Sequence, residues 1–170
     1  EDELSSCMMA MGAGYAGVRA FTATSGPGLS LMAESISMAA MAEIPVVIID
    51  VMRAGPSTGM ATKVEQSDIR YAIASGHGDA EKIVLAASSI EDCYYITQEA
   101  FNLAEEFQTP VIVLSDLQFG MCKQSVPAFD LNRVGINRGK LLTEGLPELD
   151  TKKKAYFHRF EDSEDGISPR

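Results

Sequence analysis

The sequence predicts an α/β domain with a mostly parallel sheet and helices on both faces. Three observations carry this. Short β-branched runs alternate with helical stretches along the chain. One run, Ile44-Pro-Val-Val-Ile-Ile-Asp-Val51, is almost continuously apolar, as a strand covered on both faces must be. The stretch Thr22-Ala-Thr-Ser-Gly-Pro-Gly28 reads as a tight strand-to-helix turn. Gly26 and Gly28 carry no Cβ, so backbone can approach something closely there. Pro27 suits a first helical turn, and Thr24 or Ser25 can cap it. In open parallel sheets such turns lie at the carboxyl ends of strands, where ligands bind.

The elements follow in order. Residues 3–17 read as a helix that is apolar or small on nearly every face, hence buried on more than one side. Its glycines, Gly12, Gly14 and Gly17, lower helix propensity by about 1 kcal/mol each, and close packing against another backbone is the expected reason. Met8, Met9, Met11, Met38 and Met41 are expected in the core. A strand over 18–23 leads into the turn, and a helix over 29–43 follows. After the strand at 44–51 comes a long loop, 52–66, too rich in Gly, Pro, Ser and Thr to be regular. Such loops in compact domains are usually functional. A short helix over 67–74 and a turn at 75–79 precede a third strand, 82–87. Residues 90–108 form the clearest helix. Ser88 or Ser89 can cap it, Glu91 and Asp92 suit its first turn, and Ile96, Ala100, Leu103, Ala104 and Phe107 recur at three and four. A fourth strand spans 109–115. Beyond about residue 117 the pattern dissolves. Pro127, Gly145, Pro147 and Lys152-Lys-Lys154 suggest an extended surface connector.

Composition bounds the function. At 170 residues a single domain is expected. A formal net charge of −10 argues against nucleic acid and against an anionic membrane surface. No apolar run is long enough to span a membrane. Cys7, Cys93 and Cys122 are scattered, with no C-x-x-C pair, so reduced thiols of a cytoplasmic protein are expected and no metal site. The chain opens in a helical pattern without Met and closes without a final element. It is expected to be part of a longer polypeptide, incomplete at both ends.

Two loops share one sheet edge: the turn at 22–28 and the loop after residue 51. The second carries Arg53, Ser57, Thr58, Thr62 and Lys63 among glycines. That set suits a carboxylate, which a guanidinium grips through two parallel hydrogen bonds. Equally, Arg53 could pair with Glu65 or Asp68. There is no Gly-x-x-x-x-Gly-Lys-[Ser/Thr] and no Gly-x-Gly-x-x-Gly after a strand. Ala23-Thr-Ser-Gly-Pro27 is not a Gly-x-Ser-x-Gly elbow, which argues against a serine hydrolase.

Thr-Ser-Gly-Pro-Gly after a strand, with a glutamate upstream and Ile-Pro-Val-Val-Ile downstream, resembles the pyrimidine-binding domain of thiamine-diphosphate enzymes. Arg53-Ala-Gly-Pro-Ser-Thr-Gly59, Thr62-Lys-Val-Glu-Gln-Ser-Asp68, Gly76-His-Gly-Asp79 and Thr109-Pro-Val-Ile-Val-Leu-Ser-Asp116 narrow this. The chain resembles the α subunit of 2-oxoacid:ferredoxin oxidoreductases, most closely those acting on 2-oxoglutarate, over nearly its whole length. The resemblance implies CoA-dependent oxidative decarboxylation of a 2-oxoacid, 2-oxoglutarate to succinyl-CoA being the expected case, with electrons passing to ferredoxin. It implies a thiamine-diphosphate pyrimidine domain over 1–120 and a connector over 121–170 toward a further domain.

Residue by residue, it implies that Glu3 bonds the pyrimidine ring of thiamine diphosphate and favours its imino tautomer. From position alone Glu3 would be an exposed helix-start acid. Arg53 is implied to hold the substrate carboxylate, with Thr62 in the same pocket and Lys63 as a candidate second cation. Ser25, Gly26 and Gly28 are implied to back the pyrimidine pocket. His77 is expected to be a turn residue packing beneath the site. The family's Tyr-Pro-Ile-Thr-Pro-Ser-type loop lies upstream of this chain, and Ala61 stands where proline is common. Gly78-Asp79-Ala80 falls short of the Gly-Asp-Gly…Asn element for Mg²⁺ and diphosphate. Mg²⁺ and the 4Fe–4S cluster are therefore expected in a β subunit, giving a hetero-oligomer. Alternatives are an acetolactate-synthase-like domain and a non-catalytic subunit that keeps the fold.

Overall fold

The computed structural model describes residues 2–144, 157 and 159–170. Four parallel strands form one sheet: β1 (Phe21–Thr24), β2 (Val46–Met52), β3 (Ile83–Ala86) and β4 (Pro110–Asp116), in the order β1-β2-β4-β3. The two central strands are the two longest β-branched runs, and Val46 pairs with Pro110 through to Met52 with Asp116. All-parallel pairing with this burial requires cover on both faces.

On one face pack α1 (Glu3–Tyr15), α2 (Pro27–Leu31), α3 (Ala33–Met41) and α4 (Ile69–Ala74). Cys7, Met11, Leu29, Met32 and Ile36 meet Ile48, Ile112 and Leu114 there. On the other face lies α5 (Ile90–Phe107), whose Ala100 and Ala104 cover Val47, Val111 and Val113. A short α6 (Leu117–Met121) follows β4, where the sequence suggests no element. Asp116 caps it, accepting from the Phe119 N–H at 3.1 Å. No helix among the described residues is long and apolar enough to cross a membrane.

Several expectations change. The helix expected over 29–43 is two helices, re-aimed at the fully buried Met32. Neither Thr24 nor Ser25 caps α2; its N-cap is Gly26, with Pro27 in the first turn. Of the five methionines expected in the core, only Met11 is buried. Met8, Met9, Met38 and Met41 are exposed, Met9 by 70% and Met41 by 80%. Helix α1 thus buries one side and presents Leu4, Met8, Met9 and Tyr15 outward. An apolar composition reveals that a face is apolar, not which neighbour covers it. Of the three glycines expected in the first helix, Gly14 packs on backbone, where a Cβ would strike the Pro45 carbonyl oxygen; Gly12 faces open space, and Gly17 lies beyond the end of α1.

Residues 122–144 hold no regular helix or strand, but they do not hang free. They run along α5, pinned at Tyr95, Asn102 and Glu105. Glu105, only 3% exposed, binds Arg19, Arg138 and Arg170 at 2.5, 2.8 and 2.5 Å. Gly145, Pro147 and Lys152 to Lys154 lie outside the described residues.

Candidate functional site

The site is built where β1 and β2 end. Asp2 caps α1, accepting from the Leu4 and Ser5 N–H groups at 3.0 and 3.5 Å. The Ser5 hydroxyl and these N–H groups hold the Asp2 carboxyl below its ordinary value. Glu3 is therefore released from capping and turns inward over the 22–28 turn. A Cβ on Gly28 would collide with Thr24 Oγ1 and stand 3.0–3.1 Å from the Glu3 carboxyl arm. Gly28 is glycine because two site residues occupy the space its side chain would take.

Gly26 has φ +59°, a conformation costly for other residues, and a Cβ there would press on Arg53 at 3.0–3.1 Å. The Ser25 hydroxyl donates to the Val51 carbonyl at 2.7 Å, and the Gly26 N–H donates to Asp50 Oδ1 at 3.0 Å. The turn is thus sewn to the end of β2 by two bonds, and Arg53 lies across it.

Two clefts flank Arg53. The first, about 410 Å³, is lined by Glu3, Ser6, Thr22 to Ser25, Val51 and Arg53. The second, about 350 Å³, is walled by Gly26, Pro27, Arg53, Ser67 and Asp68 together with loop residues 54–57. Arg53 Nη2 donates to the Thr58 carbonyl at 3.0 Å. Its buried Nε has no partner among the described residues, and it forms no ion pair with a described acid. The pairing with Glu65 or Asp68 that the sequence left open does not form. The arginine keeps donor capacity and charge for a ligand.

The structure thus brings together Glu3, Ser25, Gly26, Gly28 and Arg53. Thr62 and Lys63 do not join them. The loop doubles back, with Ala54 bridging Met60 and the Ala54 N–H donating to the Lys63 carbonyl at 3.1 Å. That leaves both side chains exposed and outside either cleft. His77 does not pack beneath the site. It is exposed in another groove, lined also by Glu34, Met38 and Met41, with its N–H on Ser37 Oγ at 3.3 Å. Asp50 escapes the sequence reading, which takes it as one more strand residue. It is fully buried beneath Gly26. The available signal is an ionisable residue inside a run that must be covered on both faces.

The first cleft suits a flat heterocycle. A carboxyl stands at one wall and the small residues Thr22 to Ser25 form the floor. It fits the pyrimidine half of thiamine diphosphate.

Residues 1–157 match the family described as pyruvate flavodoxin/ferredoxin oxidoreductase, thiamine-diphosphate-binding. The chain is 52% identical over 172 aligned positions to 2-oxoacid:ferredoxin oxidoreductase 2, subunit alpha, of Aeropyrum pernix, with 100% of this chain and 26% of that protein covered. It is 49% identical over 147 positions to the 2-oxoglutarate synthase subunit KorA of Archaeoglobus fulgidus, covering 85% of this chain and 42% of that one. The solved 2-oxoglutarate:ferredoxin oxidoreductase of Magnetococcus marinus, with 2-oxoglutarate, coenzyme A and succinyl-CoA bound, superposes with a TM-score of 0.89 at 44% identity. That match covers 99% of this chain and 28% of the other. The chain spans from about a quarter to two fifths of the length of these relatives. Fold, glycine turn and family match agree: this chain belongs to the thiamine-diphosphate-binding family of pyruvate flavodoxin/ferredoxin oxidoreductases.

Proposed function

We propose that the chain supplies the pyrimidine side of the active site in the α subunit of a cytoplasmic 2-oxoacid:ferredoxin oxidoreductase. The reaction is CoA-dependent oxidative decarboxylation of a 2-oxoacid, 2-oxoglutarate to succinyl-CoA being the favoured case, with electrons delivered to ferredoxin. One observation carries the reading. Arg53, unpaired with any described acid, is the common wall of two clefts, and Glu3 faces one of them across Gly28.

Thiamine diphosphate, when bound, supplies the nucleophilic carbon and the electron sink for the departing carboxyl. Glu3 holds the pyrimidine through its ring nitrogen and keeps the tautomer that can move a proton. Ser25, Gly26 and Gly28 shape the pocket floor. Arg53 takes the substrate carboxylate by a charge-assisted pair of hydrogen bonds. Thr62 and Lys63 belong to the same loop. Their assignment to substrate, with Lys63 on the second carboxylate of 2-oxoglutarate, rests on loop position alone.

A β subunit holding the diphosphate, Mg²⁺ and a 4Fe–4S cluster completes the site in this reading. The apolar outward face of α1, with Leu4, Met8 and Met9, supports a partner there.

The test is turnover by the assembled α/β enzyme on 2-oxoglutarate, pyruvate and 2-oxoisovalerate. Arg53→Ala should raise KM for the preferred acid about 10- to 100-fold. An unchanged KM would remove Arg53 from the site. Lys63→Met should weaken 2-oxoglutarate and spare pyruvate. Equal effects on both would cancel the Lys63 assignment.

A further inference from the structure

An acid that the proposed reaction does not use lies beneath the turn. Asp50 is 0% exposed in a strand whose other members are aliphatic or Met. Its Oδ1 accepts the Gly26 N–H, while its Oδ2 is buried without a partner among the described residues. Asp68, on the wall of the second cleft, likewise has a buried, unpartnered Oδ2. Arg53 completes the group with its unpartnered Nε. Two carboxylates and one guanidinium thus surround a single glycine turn, with three polar atoms unsatisfied.

The charge count decides what this group can bind. Two ionised carboxylates and one guanidinium sum to −1, which repels an arriving anion. With one proton on the acid pair the sum is zero, and Arg53 is free to take the anion. Buried carboxylates with unfilled oxygens hold protons strongly. The neighbours reinforce this. Glu65 lines the same cleft, Glu3 approaches from α1, and Asp116 ends β4 two residues past Leu114, the partner of Asp50. All three are acids, and the turn contributes only an N–H. Burial first, then the Asp68 charge, pushes Asp50 up to about 7, against the Gly26 bond and Arg53. Burial raises Asp68 as well.

We propose that Asp50 is a positioning residue of the anion site: it carries a proton while an anion sits on Arg53, and losing that proton loosens the anion. The proposal rests on the reading that Arg53 takes a 2-oxoacid carboxylate. Binding an anion above neutral pH would then draw one proton onto the enzyme.

The test compares KM for the 2-oxoacid on either side of neutrality in the assembled enzyme, for wild type, Asp50→Asn and Asp68→Asn. Wild-type KM should climb with pH, up to about tenfold per unit for one linked proton, with no matching step in kcat. Asp50→Asn keeps an acceptor for Gly26 and imitates the protonated acid, so its KM should stay level. Asp68→Asn leaves a single carboxylate beside Arg53, so the sum is zero even with Asp50 ionised, and its KM should climb less with pH than that of the wild type. The infrared carbonyl band of a protonated carboxyl should persist in wild type to neutrality, extend to higher pH when 2-oxoacid is added, and lose intensity in Asp50→Asn. If the assembled enzyme turns over no 2-oxoacid, the functional reading fails, and the band still reports on Asp50. If turnover is present but the Asp50→Asn KM follows the wild type across pH, or the wild-type band is missing, Asp50 has no such part.

Discussion

Gly28 joins backbone geometry to chemistry in a single atom. The space that a Cβ would need is held by Thr24 Oγ1 and the Glu3 arm. Gly28→Ala should displace Glu3, and in the assembled enzyme it should lower kcat by at least about a hundredfold, the usual contribution of one proton-handling group. Calorimetry of thiamine-diphosphate binding checks the displacement independently. Asp50 makes its own prediction about stability. Its folded-state carboxyl sits near 7, above the ordinary 3.8. Between those values the folded form keeps a proton that the unfolded form has released, so stability is greatest at the acid end and declines as pH rises through the window. Asp50→Asn should abolish this slope and be more stable than wild type above neutrality, by ~4 kcal/mol, as read from denaturant midpoints at several pH values. Asp50 was hard to read in the sequence because the run around Ile48-Ile-Asp-Val51 shows that the strand is covered without showing what meets its one acid. Only the β4 neighbour and the folded turn show that no water reaches it.

At the scale of elements, the central strands were legible because β-branched runs have few other uses. The α5 helix was legible through its cap and its period. Ser89 accepts from the Asp92 N–H at 3.0 Å, and Asp92 accepts from the Ser88 N–H at 2.8 Å. Ser89→Ala should lose about 1 kcal/mol of stability, measured by chemical unfolding. The break between α2 and α3 was not legible. Leu29 to Glu43 contains no Pro or Gly to mark it, and the change of direction is set by burying Met32. The 52–66 loop was recognisable as irregular from its composition. Its path was not, because the fold-back that exposes Thr62 and Lys63 depends on Gly59. A Cβ at Gly59 would collide with the Ala54 carbonyl.

Over the whole molecule, two surfaces organise what surrounds the sheet. The first is the clasp at Glu105, where three arginines from distant parts of the chain meet one buried carboxylate. Glu105→Ala would strand three cations, and breaking such a buried set by removing its centre typically costs about 3–5 kcal/mol. Residues 122–144 should then become open to limited proteolysis while the sheet stays folded. Sequence pattern could not show this clasp, since the three arginines lie far apart along the chain and no periodicity links them. The second surface is the apolar face of α1. Met9→Lys should leave the chain folded by circular dichroism and weaken its association with the proposed β subunit in sedimentation experiments. Arg53 has the widest reach. One guanidinium walls both clefts, so a ligand in the first would alter the field felt in the second. Thermodynamic linkage would make that influence mutual: whatever factor a ligand in one cleft applies to affinity in the other is returned in equal measure. The two ligands would then bind as a cooperative pair, and a titration of either one would read the occupancy of the other.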